Sequence, residues 1–477
     1  MTEAHLDPIP YLTDLLGPAH VLTGEDTRRH AHDWTGKYKG TPAALLRPAD
    51  RDQLAAIVTF AARNRLALVP VAGNTGLAGG AYCDGALMVS VERLNRIREI
   101  NPRARTATVE AGVILSQLHD AAEARDMVFP LTFGARGSAL IGGVLSTNAG
   151  GSNVVRYGST RGLCLGLEAV LPDGRVMDVM SPLHKDNTGL DLKDLMIGAE
   201  GTLGIITAAV LKLFPRPRAY ATAMVAVSDL DAALDLLNRL QEATGGAVEA
   251  FEYMPDDYMR QLFRLRPEMR PPFDRTYPVS LMVEIGATAP RDATPGPDGR
   301  LPVVQLLEDT LAEGFERGEV LDAVVAQNET QRQEIWARRE ISAEICFSAP
   351  HVVDNDIALP LDRVGTFLGR MAARLPQIDP GAESVTVGHL GDGNLHYTVW
   401  ASSGSADLKE ALREAVEDEV AALDGSFSAE HGIGLSKLST MARRKNPVAL
   451  DAMRRIKAAL DPEGIMNPGK LVPPARD

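Results

Sequence analysis

Pro70-Val71-Ala72-Gly73-Asn74-Thr75-Gly76-Leu77-Ala78-Gly79-Gly80 follows a short apolar run, Leu66 to Val69, patterned as a buried strand. Four glycines and two small polar residues let the backbone approach a ligand and turn its N–H groups toward it. Such an array suits an anion, most often a phosphate. The stretch is neither G-x-G-x-x-G nor G-x-x-x-x-G-K-[ST], so a nicotinamide fingerprint and a P-loop both fit poorly. By itself it reads equally well as a glycine-rich surface loop.

Two further segments change that balance. Pro130 to Gly143 contains Gly134, Gly137, Ser138, Ile141, Gly142 and Gly143, and Ser146 to Gly151 follows closely. Ser138 is placed to cap a short helix whose first-turn N–H groups would face an anion. Gly198-Ala199-Glu200-Gly201-Thr202-Leu203-Gly204 then opens a strand from Ile205 to Leu213. Three glycine-rich segments at strand edges within one half of a chain point to backbone-lined binding of a large ligand.

Around these segments the pattern gives a capped helix from Asp50 to about Asn64 and strands at 86–91 and 106–111. A helix at 114–124 and a hairpin about Pro172-Asp173-Gly174 follow. Pro215-Arg216-Pro217 punctuates the chain as a domain boundary. Beyond it strands at 222–227, 248–253, 279–285, 323–326, 352–359 and 384–388 alternate with helices at 230–242, 303–313 and 330–345. This predicts an α+β domain on one sheet. Late helices are expected at 408–423 and 441–460, before the turn Asn467-Pro468-Gly469-Lys470.

At 477 residues the chain exceeds one ordinary core. A composition 45% hydrophobic and 23% charged is that of a soluble globular protein. The net charge of −14 argues against nucleic acid or an anionic membrane as the main partner. Cys83, Cys164 and Cys346 are too scattered for a disulfide framework or an iron–sulfur centre. With no secretory signal pattern or bilayer-length apolar stretch, a cytoplasmic protein is expected.

The second half carries the chemistry. In Gly388-His389-Leu390-Gly391-Asp392-Gly393-Asn394-Leu395-His396, a two-residue turn at Asp392-Gly393 would oppose His389 to His396, with Cβ atoms about 5 Å apart. Two imidazoles so placed can bind one zinc, iron or manganese ion, with a carboxylate completing the set. They read otherwise as two polar residues on a wet hairpin. Glu430 can supply the carboxylate, and His431 beside it can stay as a base. Arg339, after Trp336 on the expected helix, can bind a substrate carboxylate bidentately if it turns inward.

Together these motifs resemble the vanillyl-alcohol-oxidase-type, para-cresol-methylhydroxylase-like FAD proteins, in the branch of FAD-linked D-2-hydroxyacid dehydrogenases. The resemblance spans Pro42 to Leu471, with the motifs in the family's order. It implies a two-part FAD-binding domain at 42–217 after an N-terminal segment at 1–41. A cap domain with a largely antiparallel sheet is implied at 218–440, and a helical segment at 441–477 returning to the flavin. FAD contacts are implied at Gly73, Asn74, Thr75, Gly76, Leu77, Gly137, Ser138, Ile141, Gly142 and Gly143. They continue at Thr147, Asn148, Gly150, Gly151, Gly204, Ile206 and Asn467. No histidine lies between Pro70 and Gly80 to attach the flavin, so FAD is expected to be non-covalent.

The resemblance also makes His389, His396 and Glu430 metal ligands, zinc first, and His431 the catalytic base. Arg339, His389 and His396 meet the substrate. The reaction implied is oxidation of a D-2-hydroxy acid to the 2-oxo acid, D-2-hydroxyglutarate first and D-lactate or glycolate next. Electrons would pass to an electron-transfer flavoprotein, a quinone or a partner subunit, and a homodimer is left open. In the hydroxyglutarate branch a Lys is expected near Asp354 and an Asn near Thr398, and this chain departs at both. A flavin oxidase using dioxygen and a non-catalytic flavin subunit are the competing readings.

Overall fold

Asp50 accepts the Gln53 N–H at 2.8 Å and starts the helix Arg51–Asn64, whose Leu54, Ile57, Val58 and Ala61 are buried. That helix is the crossover between the strands Ala44–Leu46 and Leu68–Val71, which both run parallel to Leu87–Ser90 between them. Val21–Leu22 adds an antiparallel edge to this four-stranded sheet. The glycine loop leaves the end of Leu68–Val71. A second, five-stranded antiparallel sheet has the order Ile97–Asn101, Thr106–Glu110, Ile205–Lys212, Cys164–Val170, Val176–Val179. The hairpin about Asp173-Gly174 forms as expected. Ile97–Asn101 was not anticipated, because as a half-exposed edge strand it carries too little apolar alternation.

The computed structural model describes residues 7–475, so the first six residues of the N-terminal segment lie outside them. The chain divides into two compact units. One holds the two sheets above and comprises the described residues up to Gly150, Ser159–Pro215, and those from Glu430 onward. The C-terminal part of that unit pairs Met466 with Leu68 beside the sheet. The single helix expected at 441–460 is two, Leu438–Arg444 and Pro447–Leu460. Pro447 cannot continue the first, and Asn446 caps the second by accepting from Val448 and Ala449 N–H.

The other unit, Gly151–Gly158 with Arg216–Ala429, is built on one seven-stranded sheet with every pair antiparallel. Its order is Val320–Val325, Ala219–Val227, Val279–Ala287, Val248–Tyr253, Glu383–His389, Asn394–Trp400, Val352–Ala358. One face packs Val225, Leu281, Val283, Phe251 and Tyr397 against four long helices, Leu230–Thr244, Pro302–Glu316, Val364–Ile378 and Ala406–Ala422. The opposite face is covered by Asp256–Leu265, Glu329–Glu340 and Ser342–Cys346. The helix expected at 330–345 is therefore two, broken at Ile341. Val364–Ile378 was missed because Gly365, Gly369 and Pro376 weaken its helical signal. The α+β organisation and the largely antiparallel second sheet are as expected.

Candidate active site

Alternation places every second strand residue on one face of a sheet. On the face of the seven-stranded sheet turned from its large core, that rule collects Glu284, Glu252, His389, His396, Asp356 and Asp354. The hairpin bearing the histidines has a different register from the expected one. Val387 opposes His396 and Asn394 opposes His389. Leu390–Asp392 form a 3₁₀ turn, and Gly393 alone takes the left-handed conformation, φ +78°. A two-residue type I′ turn needs positive φ at both central residues, and Asp392 does not supply it. The shift is two residues, which preserves the face where a one-residue slip would reverse it. His389 and His396 are thus diagonal neighbours, ring centres 5.7 Å apart and nearly perpendicular.

Beneath His389 lies Glu252, a residue the sequence did not single out. It is fully buried and accepts from His389 Nδ1 (2.9 Å) and Arg339 Nε (2.7 Å). Burial by itself would raise the Glu252 carboxyl, but His389 and Arg339 outweigh it and hold the group below the usual carboxylate range. Arg339 is buried, as inward turning required, and also donates to Ser342 Oγ at 2.9 Å. Its Nη2 lies 3.4 Å from His389 Nε2. Its nearest carboxylate is thus the protein's own.

Glu284 does the same for the helix one to two turns earlier. Arg332 clasps it with two bonds of 2.8 Å, Trp336 Nε1 donates at 2.8 Å and Thr222 at 2.6 Å. Glu252 and Glu284 each stand in a buried, largely apolar strand, Val-Glu-Ala-Phe-Glu-Tyr and Val-Ser-Leu-Met-Val-Glu-Ile, the first of which also carries buried Glu249. A carboxylate in a buried strand demands a partner, and that is the signal that would have found them.

Asp356 is directly opposite His396, its oxygen within 4.8 Å of a His396 ring nitrogen. Asn394 Nδ2 donates to Asp356 at 3.0 Å and Ala429 N–H at 3.2 Å. Glu430 and His431 follow Ala429 directly in the chain, at the point where it enters the other unit. There the two side chains are 3.7 Å apart, both mostly buried. Glu200, also missed, fixes the loop after them. Its buried carboxylate accepts from Ile433 N–H (2.7 Å) and Gly434 N–H (2.8 Å), and burial raises its pKa. Gly432 has φ +76°, and a Cβ there would press on Glu200 Oε1.

In that same unit the glycine segments meet. Gly73 packs so closely on Ser138 and Ala139 that a Cβ would overlap the Ser138 carbonyl. Asn74 takes the left-handed conformation and donates to His32 O at 3.0 Å. Thr75, Gly76 and Leu77 remain accessible, as do Gly137 and Ser138. Ser138 is not a helix cap. The helix is Ile141–Thr147, Leu140 precedes it, and no side chain caps it. Gly142 and Gly143 lie in its first turn, Thr147 donates back to Gly143 O, and Asn148 ends it in the left-handed conformation. Gly150 closes this unit's segment and Gly151 opens the other's. Gly204 precedes the strand holding buried Ile206.

Asn467 donates to Gly80 O (3.0 Å) and Glu200 O (2.7 Å), tying the first and third glycine segments together. Its buried Oδ1 has no hydrogen-bond partner among the described residues. Space lies open over Gly76 and Gly137, where an added Cβ would meet no neighbour. An orphaned buried acceptor and an open glycine-lined surface are what a large ligand with N–H groups and phosphates would fill.

Comparison with known proteins gives this arrangement its class. Residues 42–180 match the FAD binding domain, and residues 216–471 match the FAD linked oxidases, C-terminal domain. The chain belongs to this family of FAD-linked oxidoreductases, in the branch of the D-2-hydroxyacid dehydrogenases. It is 36% identical over 459 residues to the mitochondrial D-2-hydroxyglutarate dehydrogenase of Bos taurus, covering 96% of this chain and 82% of that protein. It is 35% identical over 480 residues to D-2-hydroxyglutarate dehydrogenase of Stutzerimonas stutzeri (strain A1501), covering 99% of each. In fold it matches p-cresol methylhydroxylase with a TM-score of 0.75 at 15% identity, covering 98% of this chain and 96% of that one. No described helix is long and apolar enough to cross a membrane.

Proposed function

We propose that the chain oxidises a D-2-hydroxy acid to the 2-oxo acid, with Arg339 holding the substrate carboxylate and His431 accepting the 2-hydroxyl proton. The observation that carries this reading is the sheet face where Arg339, His389 and His396 stand together. The names of the full-length relatives make D-2-hydroxyglutarate the first acid to try. The glycine segments and Asn467 would hold FAD non-covalently, and FAD would supply a hydride acceptor for the C2 hydrogen. Arg339 fixes the acid through paired N–H bonds, and His431 removes the positive charge that would otherwise build on the hydroxyl oxygen.

His389, His396 and Glu430 would hold a divalent ion, zinc first and iron or manganese next, with Asp356 a further oxygen donor. Two imidazoles on one tetrahedral ion have ring centres about 5 Å apart, close to the 5.7 Å found here. The Glu252 carboxylate on His389 Nδ1 keeps the proton there and makes Nε2 the acceptor nitrogen, a pairing common at metal sites. Such an ion would supply Lewis acidity to the 2-hydroxyl. Cys83, Cys164 and Cys346 are free and buried, in keeping with a reducing compartment such as the cytoplasm. The electron acceptor would be an electron-transfer flavoprotein, a quinone or a partner subunit.

The test is His431→Asn with FAD bound. Anaerobic flavin reduction by the substrate should slow about 100-fold or more, and unimpaired reduction overturns the assignment of the base.

A further inference from the structure

Four carboxylates on the catalytic sheet face have different company. Glu252 is matched by Arg339 and His389, and Glu284 by Arg332 and Trp336. Asp356 receives Asn394 Nδ2 and Ala429 N–H. Asp354 receives only the neutral Thr398 hydroxyl, at 3.3 Å, and forms no ion pair among the described residues. It is half-buried, directly opposite Thr398, and one same-face step from the Asp356–His396 pair. Such a step is about 7 Å.

The short helix Ser342–Cys346 lies over this row, since Trp400 Nε1 donates to Cys346 O at 2.9 Å. The Cys346 thiol, pushed up to about 11 chiefly by burial, also feels the Thr398 hydroxyl and the charges of Asp354 and Arg339. Asp354 and Arg339 are therefore electrostatic neighbours of one buried group on one side of the sheet. A hydroxy acid held at its carboxylate by Arg339, with its hydroxyl at His396, sends its remaining carbons across this row. Three carbons span roughly 4 Å, and a terminal hydrogen bond adds about 3 Å. The sum matches the step to Asp354.

We propose that Asp354, with Thr398, determines specificity for the far end of the substrate. The pair selects a D-2-hydroxy acid of about five carbons ending in a hydrogen-bond donor, ammonium or hydroxyl, over one ending in a second carboxylate. The inference rests on the reaction proposed above. An ammonium or hydroxyl meets the Asp354 carboxylate as a charge-assisted donor. A second carboxylate there would meet the like charge of Asp354 and be disfavoured.

The experiment uses the FAD- and metal-loaded protein and follows anaerobic flavin reduction. The substrates are D-2-hydroxypentanoate, its 5-amino and 5-hydroxy derivatives, and D-2-hydroxyglutarate. The donor-ended acids should exceed D-2-hydroxyglutarate about tenfold or more in kcat/KM, chiefly through KM. Their order relative to each other separates ammonium from hydroxyl. Asp354→Asn should level the ranking, and Asp354→Lys should invert it in favour of D-2-hydroxyglutarate. A wild-type preference for D-2-hydroxyglutarate, or an unchanged ranking in folded, FAD-replete variants, overturns the inference. Should Asp354→Lys fail to fold, the wild-type ranking and Asp354→Asn decide. Reduction by unsubstituted D-2-hydroxypentanoate reports on the parent reaction alone. With it the two failures are told apart, and the absence of reduction by every acid overturns both.

Discussion

Glu252→Gln removes one negative charge from beneath the histidine–arginine pair and changes almost no volume. In the native sheet both donors, His389 Nδ1–H and Arg339 Nε–H, point at its two oxygens. Glutamine offers one oxygen and turns its NH₂ toward the other donor, so one hydrogen bond to a charged group is lost. That loss is about 1.5–3 kcal/mol. Arg339, 9% exposed at its side chain, is then left without its carboxylate. Breaking a buried ion pair from one side costs about 3–5 kcal/mol in all. Trp336 and Trp400 lie in this unit and Trp34 in the other, so urea unfolding of a Trp34→Phe background reports this unit by tryptophan fluorescence. Glu252→Gln should destabilise it by about 4 kcal/mol. Adding Arg339→Met removes the orphaned charge and should recover much of that loss while leaving the protein inactive. A loss below about 1 kcal/mol, within the range of an exposed ion pair, would refute the reasoning. A double variant no more stable than the single would do the same.

Other perturbations test other parts of the account. Glu200→Gln loses one of the two bonds to Ile433 and Gly434 N–H. It should lower the rate of flavin reduction about tenfold or more by loosening the loop after His431, with FAD occupancy unchanged, and a wild-type rate would show that Glu200 does not position the base. Burial raises the Asp257 carboxyl to about 6 from 3.8. The native state therefore holds that proton more tightly than the unfolded chain, and stability falls as pH rises from about 4 to about 6 and stays lower above. Asp257→Asn should abolish this part of the pH dependence and stabilise the protein by about 2–3 kcal/mol at pH 7; parallel stability–pH curves for the two proteins would exclude it. Chelation should stop flavin reduction without releasing FAD, and full activity of demonstrably metal-free protein would take the ion out of the mechanism.

What the sequence made legible was local. Asp50 and Gln53 marked a helix start because a cap acts within one turn. The glycine segments stood out because backbone approach to a ligand needs glycine wherever it occurs. The two histidines were placed on one face even though the turn was misjudged, since a shift of two residues keeps the strand period. The residues that were missed act at a distance. Glu252 meets His389 across 137 positions, and Glu200 meets Ile433 across 233. No local pattern records such a partner, and only the cost of burying a carboxylate hints that one exists. Val364–Ile378 was missed for the opposite reason, because Phe367, Met371 and Leu375 gain enough from the core to override its glycines.

The central claim is that this chain uses FAD to oxidise a D-2-hydroxy acid. Its most direct test is anaerobic mixing of FAD- and metal-replete protein with matched D and L enantiomers of 2-hydroxy acids, while the yellow flavin absorbance is followed. The account predicts rapid bleaching by a D-acid, none by its L partner, and one 2-oxo acid formed per flavin reduced. Equal bleaching by both enantiomers, or none by any acid with both cofactors in place, would contradict it.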